Sequence, residues 1–113
     1  MDIKDILSRY VNAAIAHGEA IENGNHKVAN KQHDVIMRLL HKLDEAGKRG
    51  EALSSILDHR DPHVRGWAAT HLLNVDSAKA IRALEALVNE GGLAGFNAEM
   101  TLAELRKGRL RIP

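Results

Sequence analysis

An all-α chain of three stacked antiparallel helix pairs is what the sequence predicts, and three observations carry that expectation. Apolar residues recur at three- and four-residue steps rather than in alternation. Six such segments are set apart by residues that stop and start helices: Gly24 and Asn25, Gly47, Asp61 and Pro62, Asp76, then Gly91 and Gly92. β-Branched residues are sparse and the segments run well beyond strand length, so no strand is expected.

Taken in order, residues 2–23 carry Ile3, Ile6, Leu7, Tyr10, Val11, Ala14, Ile15 and Ile21 at helical spacing. Gly24 suits a left-handed C-terminal position and Asn25 an N-cap, so the first two helices fold back as a hairpin. The second helix, to about residue 46, presents Val28, Val35, Ile36, Leu39, Leu40 and Leu43, with Gly47 as its stop. Lys48 and Arg49, bracketed by Gly47 and Gly50, read as a short flexible connection to a third helix over 51–58, with Ala52, Leu53, Ile56 and Leu57 inward. Asp61 caps a fourth helix whose first position is Pro62, where a missing amide hydrogen costs nothing. Asp76 caps a fifth, with Ala80, Ile81, Leu84, Leu87 and Val88 inward. A sixth is expected over 96–107, contacting the others through Phe96, Met100 and Leu105, with Gly108 as terminator.

At 113 residues the chain suits one domain, residues 1–113, burying roughly two-thirds of its unfolded surface. Without cysteine there is no disulfide, thiolate metal site or cysteine nucleophile. MDIKDILSRY lacks the basic start and unbroken apolar core of a leader, and no apolar run approaches the ~20 residues needed to cross a bilayer. The expected setting is the cytoplasm. Net charge is +1, yet Arg106, Lys107, Arg109 and Arg111 fall in the last eight residues; the remainder carries 12 basic against 15 acidic residues, about −3. Such a surface attracts phosphate poorly, and Tyr10, Trp67 and Phe96 are too few aromatics for base stacking. Nucleic acid is therefore disfavoured, and the basic tail reads first as a cation-rich helix terminus.

Past the Asp61 turn stand Val64, Arg65, Ala68, Ala69 and Leu72, small residues where another helix must approach, beside an arginine. This resembles the HEAT repeat, with its aspartate turn, valine-arginine pair and double alanine. The long first hairpin, the central DPHVRGWAATHLL and the closing GFNAEMTLAELRKGRL together resemble a family of small bacterial proteins of unknown function. The resemblance implies an α-α superhelix of the HEAT or armadillo type and brings no catalytic or binding residues with it. It also implies that the acid and arginine at Asp61 and Arg65 bridge neighbouring helix pairs, a structural role. As an expectation of role, the resemblance points to the immunity or accessory proteins encoded near bacterial toxins.

Trp67, the single tryptophan, sits at the margin of the Val64, Ala68 and Leu72 stripe, where it either closes the core or rims a groove. As a groove residue it heads a protein-recognition patch with His63, Thr70 and His71 on its own helix and Asn30, His33 and Met37 on the second helix, because second helices line the concave face of such stacks. The seven histidines do not spell a metal site. His26, His33 and His41 are two turns apart, about 10–12 Å, and the turn at Asp61 and Pro62 separates His59 from His63. They read as solvated residues. Ser54, Ser55 and Ser77 lack a strained glycine elbow, no glycine loop fits phosphate, and Asp44 and Glu45 face solvent at a helix end. No catalytic residue, cofactor or metal is expected. The function expected is non-catalytic protein binding, in an immunity or adaptor role; the alternative is a nucleic-acid-binding or base-processing helical protein.

Overall fold

Side-chain caps set four of the six helix starts. The structure, a computed structural model describing residues 1–113, holds six helices and no strand: α1 (Ile3–Glu22), α2 (His26–Glu45), α3 (Arg49–Ser54), α4 (Pro62–Leu72), α5 (Ser77–Glu90) and α6 (Gly92–Arg106). Asp2 caps α1 and Asn25 caps α2, each accepting from the amide three residues on. Asp61 accepts from the amides of His63 and Val64, and Asp76 from that of Lys79. Each such cap is worth about 1 kcal/mol. Gly24 and Gly47 turn the chain after α1 and α2 at φ of 70° and 67°, where a Cβ would be strained.

α1 packs on α2, α3 on α4, and α5 on α6, while α4 also meets α1, α5 and α6. One apolar core runs through all of them, with Tyr10, Ile36, Leu43, Leu53, Leu72, Leu84 and Leu87 fully buried. The chain measures 35 × 32 × 26 Å.

Several expectations change at the level of faces and partners. Arg49 is no part of a flexible connection: it opens α3 and is only 8% exposed. Its guanidinium is bidentate to Asp44 at 2.7 and 2.8 Å and donates to the carbonyls of His71 and Pro113 and to Asn74 Oδ1. Asp44 is accordingly an ion-pair partner, and the Arg49 hydrogen bonds hold its carboxyl below the usual range. α3 ends at Ser54, before the expected 58, and the chain continues in tight turns with Ile56 still buried. Val28 faces water.

Arg65 does not turn to Asp61, which is occupied as a cap. It reaches Glu90 at the end of α5 in a bidentate pair, keeping Glu90 ionised below the usual carboxylate range through those hydrogen bonds. Arg65 is still a link between consecutive helices, but through a partner 25 residues away.

α6 is rotated from expectation. It begins at Gly92, and Phe96 and Met100 are 57% and 48% exposed. Ala94, Gly95, Ala98 and Leu102 face inward instead, because α5 and α6 approach too closely for large side chains. A Cβ on Gly95 would stand 2.6 Å from the backbone oxygen of Leu87, which cannot swing aside. Gly95→Ala is therefore expected to force the two helices apart and lower stability by about 2 kcal/mol, read from urea unfolding followed by circular dichroism. An unchanged midpoint would mean that the close approach does not exist.

Candidate functional site

α1 crosses α4 at Gly18, where an added methyl group would overlap the His63 ring. The glycine lets the two helices touch, and this crossing places His17 beside Trp67. The two rings meet edge to face, perpendicular, with centroids 5.1 Å apart. His33 approaches the indole from α2 at 5.9 Å and His71 from α4 itself at 5.4 Å. Three imidazoles thus surround one indole.

Beside this cluster opens a cleft of about 200 Å³ between α1, α4, α5 and α6. Trp67, Leu84, Ala94 and Ala98 supply its apolar wall, and Ile21 its edge on α1. Polar groups converge from three helices: His17 from α1, His63 and Thr70 from α4, Asn97 and Thr101 from α6. The Thr70 and Thr101 hydroxyls donate to carbonyls one turn back, those of Gly66 and Asn97. His17 Nδ1 is buried without a partner. Burial, with the positive charge of His33 and His63 nearby, lowers the His17 pKa and favours its neutral ring. His63 Nε2 stands 3.7 Å from a Glu22 carboxylate oxygen.

His71 is the main correction to the expected patch. It is 2% exposed, and its Nδ1 is hydrogen-bonded to Tyr10 Oη at 2.9 Å across 61 residues of chain. Burial keeps the Tyr10 phenol protonated. Desolvation, then Arg49 and His33, push the His71 pKa down to about 4, against a smaller opposing pull from Asp44. This residue ties α1 to α4 and is almost wholly withdrawn from solvent. Tyr10→Phe deletes the hydroxyl and orphans that buried nitrogen, so about 1.5 kcal/mol of stability should go, measurable as a lower urea midpoint. No loss would mean that water reaches the nitrogen.

Of the other residues expected on the patch, His63, Trp67 and Thr70 come together in the cleft, and His33 touches Trp67 from outside it. Asn30 is exposed and does not line the cleft, while Met37 packs against the core. The histidines expected in solvent divide, with His71 buried, His17 and His63 half-buried, and His26 and His41 exposed. His17, Asn97 and Thr101 are cleft residues that the sequence pattern did not single out. Gly18 was the available signal, since a glycine inside a long amphipathic helix marks a close crossing.

No hydrogen bond joins a histidine to a hydroxyl in the cleft, and no three His, Asp or Glu side chains are grouped to hold a metal ion. No helix is long and apolar enough to cross a membrane. In the tail, Arg109 is bidentate to Glu104, and Leu110 and Ile112 pack against the core.

The same fold is found in the crystal structure of the protein RPA1889 from Rhodopseudomonas palustris CGA009. The TM-score is 0.91 at 23% sequence identity, covering 100% of this chain and 95% of that one. At that identity the likeness speaks for the fold alone. None of the curated proteins matches the chain. A family profile described as a domain of unknown function, DUF2019, matches residues 4–106, and the chain belongs to that family.

Proposed function

We propose that this chain is a non-catalytic protein-binding module of the bacterial cytoplasm, concretely an immunity or adaptor protein, and that a partner's side chain enters the cleft over Trp67. One observation carries the proposal: an open, mostly apolar cleft in which an aromatic wall meets polar groups converging from three helices. Preformed helices bind at little ordering cost, so more of the contact energy survives as affinity. The Trp67 indole is the anchor type most enriched at interface centres. We take the helices as a short α-α superhelix of the HEAT or armadillo type. The aspartate-capped entry to α4 and the Arg65–Glu90 link between α4 and α5 support that view. Catalysis is left out because the cleft offers no activated nucleophile, its hydroxyls being directed to their own helices.

Thr101→Arg tests the proposal, since Thr101 is half-exposed at the cleft and a long cation there would occupy it without touching the core. Tagged protein recovered from its native host should carry one polypeptide in stoichiometric amount, and the variant should lose it by about tenfold or more. Recovery of bait alone, or equal recovery with the variant, would overturn the proposal.

A further inference from the structure

A second concavity, of about 620 Å³, lies between α1 and α2 and shares no residue with the cleft. Its charge is of one sign. Arg9 of α1 and Arg38 and Lys42 of α2 line it, no carboxylate does, and none of the three makes an ion pair or side-chain hydrogen bond within the chain. Asp34, one turn before Arg38, is turned to His33 at 3.6 Å. Arg38 and Lys42, themselves one turn apart, repel each other. The floor between the cations is apolar: Ala13 and Ala16, whose side chains stop at Cβ, face Val35 and Leu39. Asn12 and Gln32 add amides that hydrogen-bond to anions or backbone.

From this complementarity we propose that the α1–α2 groove docks an acidic amphipathic segment of a partner protein, its apolar side chains on the Ala13, Ala16, Val35 and Leu39 floor and its carboxylates on Arg9, Arg38 and Lys42. The proposal does not depend on the Trp67 cleft. Both halves of the surface are used by such a segment, whereas a nucleic acid would leave the apolar floor idle. The groove holds no aromatic side chain for stacking bases. The chain has 16 basic and 15 acidic residues; with these three set aside, 13 face 15, so the remaining surface does not extend a phosphate track. A second copy fits less well. Its exposed apolar strip, Phe96 and Met100 with Glu99 between, is followed on the same helix end by Arg106 and Lys107.

The test uses the full chain and fluorescence anisotropy of a labelled helix-forming peptide with a leucine stripe flanked by glutamates. Binding should weaken several-fold between about 50 and about 300 mM salt. It should fall about tenfold or more when glutamine replaces the glutamates, when serine replaces the leucines, or in the variant Arg9→Glu, Arg38→Glu, Lys42→Glu. All three positions are exposed, and unchanged circular dichroism would show that the variant folds. The proposal is overturned by no binding up to about 1 mM peptide, by equal binding of the glutamine peptide, or by an unaffected triple variant. Tighter binding of single-stranded DNA would hand the groove to nucleic acid. Light scattering that finds dimers lost in the triple variant would hand it to a second copy.

Discussion

Arg49→Ala will lower the unfolding free energy by about 3 kcal/mol, because it strips one side chain from four acceptors at once. The guanidinium joins the end of α2 through Asp44, the last turn of α4 through the His71 carbonyl, the following Asn74, and the chain's last residue through the Pro113 carbonyl. The figure is set at the low end for a broken buried pair, since Asp44 keeps 41% of its side-chain surface in water and can recover hydration. Arg49→Lys should recover little. An ammonium is a compact point charge, and the planar fork that reaches Asp44 bidentately while still bonding elsewhere has no equivalent in lysine. Urea denaturation followed by circular dichroism measures both variants. A lysine variant as stable as the parent would show that charge alone is at work.

Acidification should produce an effect of similar size through His71. Its pKa falls from the ordinary 6.5 to about 4 in the fold, so the unfolded chain binds the proton more readily than the folded one. The neutral ring's contribution is fully present above pH 6.5 and is lost as pH falls toward 4, for about 3 kcal/mol in all. His17, shifted the same way mainly by its own burial, adds to the same slope. Asp44 and Glu90, whose pKa values are lowered by their arginines, contribute only at more acid pH. Unfolding free energies measured from pH 7 to pH 4 should therefore drop steadily. His71→Gln, which keeps a polar partner for Tyr10 without titrating, should flatten most of that drop. A slope identical in the variant would assign the acid sensitivity elsewhere.

What could be read from the sequence followed from local chemistry. Asp61, Asn25 and Asp76 cap helices because a short polar side chain satisfies amides within its own turn, and Gly24 and Gly47 stop helices for a reason equally local. The faces were harder to read. In α6 hydrophobicity pointed to Phe96 and Met100, yet the helix turns Ala94, Gly95 and Ala98 inward, since close approach to α5 outweighs the burial of large side chains. Arg49 looked like linker because its acceptors lie 5, 22, 25 and 64 residues away, a constellation no window along the chain contains. The cleft was half visible. Trp67, His63 and Thr70 share one helix and could be grouped by periodicity, whereas Asn97, Thr101 and His17 arrive from helices whose relative placement only packing decides.

The position of α4 bears on how this molecule comes apart. In a linear array each unit leans on its immediate neighbours, so an end can peel away while the rest stays ordered. Here α4 touches the first helix and the last as well as those beside it, so both outer pairs lean on this one helix. Amide protons deep in α1, α4 and α6 should consequently exchange with deuterium through one shared opening event, without a frayed terminal pair.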